Sequence, residues 1–235
     1  MSILKGTRVT WLGHATVLVE LPSGTNLLID PFIEHNPKYP KGFALPKIDY
    51  VLLTHGHFDH IADAAPVAQK DGATVLAMVE LAGYLAGKGV ASTIGFNLGG
   101  TVQLPGVAVT LVEAKHSTSV EEGGSAVYLG VAAGLVLTVQ DGPVLYHAGD
   151  TSVFGDMELI RELYAPEVAM LPIGDHYTMG PKEAALAIRY LEPQVVLPIH
   201  WGTFPALTGT PQELAKLVSD PKTVAFVAPG EALNA

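Results

Sequence analysis

The chain has 235 residues, of which 49% are hydrophobic and 15% charged, and it contains no cysteine. A chain this long buries about 70% or more of its unfolded surface, so a large core forms without disulfides, and disorder, thiolate metal sites and thiol nucleophiles are excluded. The formal charge of −10 argues against nucleic acid as a partner, because that affinity comes from lysine and arginine neutralising phosphates.

Strand-like text opens the chain at residues 7–10 and 15–21, and Pro22-Ser23-Gly24-Thr25 turns it back into a strand at 26–29. The apolar run 50–53 reads as a buried strand. Alanine-rich 61–70 reads as a helix ended by Asp71-Gly72, followed by a strand at 73–78 and a short helix at 81–86 that Gly87 and Gly89 close. Strands are then expected at 102–104, 107–112, 125–131, 135–139 and 144–147, with Asp141-Gly142 as a hairpin turn before the last. The final third alternates: helix 157–164, strand 168–172, helix 181–191, strand 195–199, helix 211–218 and strand 224–227. Pro181 suits a first helical turn, and Ala184, Ala187, Ile188 and Leu191 recur at helical spacing.

No repeat, charge block or linker divides this text, so one domain over residues 1–235 is expected. Two sheets packed face to face, each covered outside by helices, would bury the apolar faces. No apolar run approaches the ~18 residues of a membrane span, and the first residues lack the apolar stretch of a secretion signal. A cytoplasmic protein without a membrane partner is expected.

The chemistry concentrates in Thr54-His55-Gly56-His57-Phe58-Asp59-His60, directly after an expected strand. In extended chain, residues two apart share a side, so His55 and His57 can converge on one ion, with Gly56 between them letting the backbone turn. Asp59 and His60 fall at the entry to the next helix, where they can serve a second ion. Three more ligand types follow strands in the same way: His116, Asp150 and His200. The carboxyl ends of strands are where α/β sheets gather ligands. One such histidine would be structural more often than not, but the recurrence points to metal.

His55, His57, Asp59 and His60 spell His-x-His-x-Asp-His, and with His116, Asp150 and His200 in that order the chain resembles the metallo-β-lactamase superfamily. Trp11-Leu12-Gly13-His14-Ala15-Thr16, Leu28-Ile29-Asp30-Pro31 and Gly174-Asp175-His176-Tyr177-Thr178-Met179-Gly180-Pro181 are similar to one branch of it. That branch holds metal-dependent hydrolases related to ascorbate-6-phosphate lactonases and, more remotely, to N-acylphosphatidylethanolamine-hydrolysing phospholipases D. The resemblance covers essentially the whole chain and implies an α/β fold, the four-layer αββα sandwich of that superfamily. It departs in one place: many relatives carry glycine two residues after the last signature histidine, whereas Ile61, Ala62 and Asp63 follow His60 here. This weakens any analogy to the glyoxalase II and RNase Z branches.

By resemblance, His55, His57 and His116 hold one divalent ion, Asp59, His60 and His200 a second, and Asp150 bridges them. Zinc leads among the metals, with manganese or iron also suited to nitrogen and oxygen ligands. The implied reaction is hydrolysis of a small ester, lactone or phosphorylated metabolite by a hydroxide that the two ions share. The alternatives are a phosphodiesterase or ribonuclease of the same fold, or a metal-binding protein without turnover. A di-iron oxidoreductase is disfavoured, because that branch has an acidic ligand where His57 stands. Asp59 is also a catalytic candidate, orienting the hydroxide or taking its proton. His14 is either a catalytic group, touching substrate or protonating the leaving group, or a buried histidine bonded to backbone. His176 is placed at the pocket mouth, Asp30 behind the metal loop as a hydrogen-bonding support, and Lys115 and Tyr177 as anion contacts. His147 is read as structural and His35 as exposed. A small-molecule substrate is expected, and assembly into a homo-oligomer by analogy.

Overall fold

The computed structural model describes residues 3–234. Arg8–Trp11 (β1), Val17–Glu20 (β2) and Asn26–Ile29 (β3) form an antiparallel meander with Val9 opposite Val19 and Val17 opposite Ile29. From β3 the sheet turns parallel, through Tyr50–Leu52 (β4), then Thr74–Met78 (β5) and Thr93–Phe96 (β6). Parallel neighbours need crossovers. Here they are the helix-free segment 30–49 between β3 and β4, then Phe58–Ile61 (α1) with Ala64–Asp71 (α2), and Val79–Gly87 (α3). The helix expected at 61–70 is thus two. Pro66 has no N–H and its ring crowds the carbonyl four residues back, so the helix restarts with Pro66 in its first turn.

Thr101–Leu104 (β7) and Val107–Glu113 (β8) begin a second sheet. A separate hairpin, Ser119–Glu122 (β9) and Ser125–Tyr128 (β10), interrupts it before Ala133–Val139 (β11) and Val144–His147 (β12) continue. After Met157–Tyr164 (α4) the chain adds Val168–Pro172 (β13), Pro181–Leu191 (α5) and Val195–Ile199 (β14), both strands parallel to β12. The sheet order is β14-β13-β12-β11-β8-β7, and that of the first sheet is β1 to β6. Each six-stranded sheet therefore has an antiparallel half and a parallel half.

Alternation along the strands distributes side chains between layers. Leu135, Leu137, Val168, Met170 and Leu197 face the first sheet, in one core with Val17, Val19, Leu52 and Leu76. Their neighbours Val136, Ala169, Leu171 and Val196 face outward, onto Met157 and Ile160 of α4 and Ala184, Ala187 and Leu191 of α5. On the far side α3 packs on β5 and β6, and α2 on β4 and β5. The result is the expected four-layer α/β sandwich. Among the described residues no helix is long and apolar enough to cross a membrane.

Further local expectations are corrected. The strand expected at 125–131 ends at Tyr128 and pairs with β9, whose glutamates give no apolar signal. Strand β6 was hidden by Gly95, where the backbone of Val79 would stand 3.1 Å from a Cβ. The strand expected at 224–227 is only a bridge from Val224 to Val196, because a 3-10 turn at Pro221–Thr223 breaks the chain before it. The tail then crosses to the first sheet and bridges Thr10 with Ala232. The helix expected at 211–218 ends earlier, as Pro211–Ala215 (α6), and its start carries a Thr210–Glu213 capping box.

Candidate metal centre

Strand ends on both sheets deliver the ligand-type side chains to one place. His55 and His57 follow β4, Asp59 and His60 ride the single turn of α1, His116 follows β8, Asp150 follows β12 and His200 follows β14. All seven come together. The nitrogens of His55 (Nε2) and His57 (Nδ1) are 3.0 Å apart, and His116 Nε2 is 3.3 Å from the same His57 nitrogen. Asp59 Oδ2 is 3.9 Å from His60 Nε2 and 3.6 Å from His200 Nε2. Asp150 Oδ2 lies between the groups, 3.1 Å from His200, 3.4 Å from His60, 3.6 Å from His116 and 3.9 Å from His55.

Outer hydrogen bonds decide which ring nitrogen each histidine turns inward. Asp30, fully buried at the end of β3, accepts from the Thr54 N–H at 2.9 Å, from the Thr54 hydroxyl at 2.6 Å and from His60 Nδ1 at 2.8 Å. Having given its proton to Asp30, the Thr54 hydroxyl accepts from His55 Nδ1 at 3.0 Å. One carboxylate thereby fixes two imidazoles as Nδ1–H tautomers and leaves both Nε2 atoms facing the cluster, the orienting role that metal-bound histidines commonly require. His57 enters the other way, through Nδ1, with Nε2 3.4 Å from the Ser117 hydroxyl. Gly56 serves here through close packing rather than a turn. Its N–H donates to Thr118 Oγ1 at 2.8 Å, and a Cβ would meet Leu129 at 2.5 Å.

The donor set fits cations. Among the described residues His60 Nε2, His200 Nε2 and Asp150 Oδ1 are buried without a hydrogen-bond partner, a costly state unless something positive engages them. Tetrahedral zinc–nitrogen bonds of about 2.0–2.1 Å set ligand nitrogens ~3.3–3.4 Å apart, close to the spacing in the His55, His57 and His116 trio. Burial holds the pKa of all three below the ordinary value, so they present neutral lone pairs. The other half is electronegative. Burial would strip the proton from His60, yet Asp150, Asp30 and Asp59 lift it well above the ordinary value. Against burial, Asp150 raises His200 to about 9. Asp150 itself stays well below the carboxylate range despite burial, held there by His200 and His60.

Comparison with known proteins places this architecture. Residues 25–201 match the beta-lactamase superfamily domain. A UPF0173 metal-dependent hydrolase of Koribacter versatilis is 49% identical over 92% of this chain and 93% of its own length. One from Methanopyrus kandleri is 46% identical over 95% of this chain and 98% of its own. The chain belongs to the beta-lactamase superfamily, in its UPF0173 metal-dependent hydrolase family. Among solved structures it is similar to Igni18, a metallo hydrolase from Ignicoccus hospitalis, with 37% identity, 97% of each chain covered and a TM-score of 0.85.

Above the centre of this metal-dependent hydrolase opens a cavity of about 500 Å³. His57, Asp59, His116, Asp150 and His200 reach it from below, while Phe58, Ser117, Tyr177 and Phe204 complete its lining. His14 is not part of that wall. It has no exposed surface, donates through Nε2 to Asp59 Oδ2 (2.8 Å), and accepts through Nδ1 from the Thr203 hydroxyl (2.9 Å). Burial, followed by the field of His200, lowers its pKa to about 4. Its place is behind Asp59, too deep for substrate contact, so of the two readings the buried histidine fits, with side-chain partners Asp59 and Thr203 rather than backbone. Trp11 steadies that loop, donating its indole N–H to His14 O at 2.9 Å and stacking on Trp201.

His176 is exposed and lies outside the cavity lining, and its neighbour Tyr177 takes the place foreseen for it. Lys115 is held 2.5 Å from Glu113 and does not line the cavity. His147 is buried, with Nε2 donating to Ala15 O and Nδ1 accepting from the Gly149 N–H. Sequence reasoning did not foresee Thr54 and Thr203 as ring partners, nor Phe58 and Phe204 as pocket walls. Adjacency to His55 and Asp59 was the available signal for Thr54 and Phe58.

Proposed function

We propose that this metal-dependent hydrolase works through a dinuclear centre and opens an ester, lactone or phosphoester bond of a small molecule. His55, His57 and His116 would hold one ion, Asp59, His60 and His200 the other, with Asp150 shared. The observation that carries this reading is the position of Asp150 Oδ2, within 3.1–3.9 Å of nitrogens from both groups. Zinc suits the donors, as do manganese and iron. Bound there, such ions supply positive charge to the scissile group and acidify a water to a pKa of about 7.

The chain's own residues supply the rest. Asp59 has one-quarter of its side chain exposed and lines the cavity, so its carboxylate can reach both the centre and the cavity. It would orient the attacking water and take its proton at Oδ1, the oxygen that does not accept from His14. His14 and Thr203 would act as positioning residues, since the ring between them fixes the Asp59 carboxylate. The continuous core through both sheets supports reading residues 1–235 as one catalytic unit.

Elemental analysis of purified protein, coupled to a panel of esters, lactones and phosphoesters with zinc or manganese supplied, tests this reading. Two ions per chain and turnover of at least one panel member are expected. Two retained ions in Asp150→Ala, or no turnover by the metal-replete protein, would overturn it.

A further inference from the structure

The wall above the centre is mostly aromatic, with Ser117 beside the rings. Phe58 is 55% exposed and Tyr177 58%. Phe204 is partly buried, and both Phe58 and Phe204 pack on buried Phe32, with ring centroids 5.8 and 6.3 Å away. These two rings are held by the core at the cavity edge, a rigid apolar surface that water covers at a cost. Among the described residues no lysine or arginine lines the cavity. Lys115, beside His116 in the chain, is taken by Glu113 and sits over the Phe154 ring. Lys38 comes near Gly202 but is not part of the lining. The charged protein groups in the lining are Asp59 and Asp150, besides imidazoles committed to the centre. A phosphate or carboxylate remote from the scissile bond would therefore face rings and carboxylates, with the Ser117 and Tyr177 hydroxyls but no lysine or arginine to replace its hydration.

We propose, resting on the hydrolase reading above, that the substrate is uncharged away from the bond that breaks. It presents a flat apolar or aryl flank to Phe58, Tyr177 and Phe204, which set specificity. Metabolites that carry a phosphate away from that bond are thereby excluded. For an ester the balance is simple. The water oxygen bonds to the acyl carbon, the carbon–oxygen bond to the alcohol breaks, and one water proton ends on the alcohol while the other is released from the new acid.

The test compares 4-nitrophenyl 3-phenylpropanoate with the same ester carrying a sulfonate at the far end of its phenyl ring, so that leaving group and scissile bond are identical. Zinc-loaded protein is assayed at about 0.5 M salt, where the long-range repulsion from the acidic chain is screened. The uncharged ester is expected to have a kcat/KM at least tenfold higher, and Phe204→Lys and Tyr177→Lys are expected to bring the ratio toward one. Equal or faster turnover of the sulfonated ester, or an unmoved ratio in both variants, would overturn the inference. If neither ester is hydrolysed and no lactone is either, the hydrolase reading fails on its own. Calorimetric binding of the matching anilides then decides: tighter binding of the uncharged anilide supports the apolar seat, and equal or tighter binding of the sulfonated one refutes it.

Discussion

Asp30→Asn isolates the carboxylate that orients the signature histidines while nearly preserving shape. Asp30 receives three buried donors: the Thr54 N–H, the Thr54 hydroxyl and His60 Nδ1. An amide offers one acceptor oxygen and places an N–H₂ where the second oxygen was. If the nitrogen replaces Oδ2, the Thr54 hydroxyl and His60 both face a donor; if it replaces Oδ1, the Thr54 N–H does. At least one buried donor is left unsatisfied, at about 1–3 kcal/mol, and the bond to His60 loses its charge assistance. A destabilisation of about 2 kcal/mol is expected for Asn and about 3–5 kcal/mol for Ala, where all three donors are orphaned. Because the Nδ1–H tautomers of His55 and His60 are no longer enforced, zinc affinity should fall about 10–100-fold. Urea unfolding of the metal-free variants, followed by fluorescence of Trp11 and Trp201, reads the first effect. Competition against a chromophoric chelator reads the second. Stability within about 0.5 kcal/mol of the parent together with unchanged zinc affinity would refute the orienting role.

His55→Ala should abolish turnover and release an ion while the fold persists, since the core lies elsewhere; circular dichroism and elemental analysis check both parts. Gly56→Ala drives a Cβ to 2.5 Å from Leu129 and should cost about 1–3 kcal/mol in thermal or urea unfolding. His147 is held neutral, below its ordinary 6.5, mainly by burial. The unfolded chain therefore binds a proton that the fold does not, so the stability from His147 is complete above about pH 6.5 and declines as pH falls through it. His147→Gln, which takes no proton, should flatten that acid-side slope in metal-free protein, as denaturation at a series of pH values would show. Chelator treatment should lower Tm, because ions that bind only the folded state add RT ln(1 + [L]/Kd) to its stability.

The signature His55, His57, Asp59 and His60 was legible because its residue types are rare in so short a span and sit just after an apolar strand. His116, Asp150 and His200 could be read the same way, one strand end at a time. The parallel strands β13 and β14 announced themselves as continuous apolar runs between helical periods. Strand β6 did not, since Gly95 interrupts its short apolar run to allow the close approach of α3, a tertiary demand. Nor did β9, whose glutamates serve contacts such as the one between Glu122 and Lys88, just past the end of α3. The depth of His14 was invisible for a similar reason. Whether a histidine in a loop faces solvent or the back of a carboxylate depends on Thr203, nearly two hundred residues away. The aromatic lining likewise joins Phe58 to Phe204 through Phe32, a contact without local pattern.

Anomalous diffraction from crystals grown with zinc tests the central claim most directly. The account predicts two peaks, one against His55, His57 and His116 and one against Asp59, His60 and His200, with Asp150 reaching both. A single peak, or ions bound away from Asp150, would contradict it.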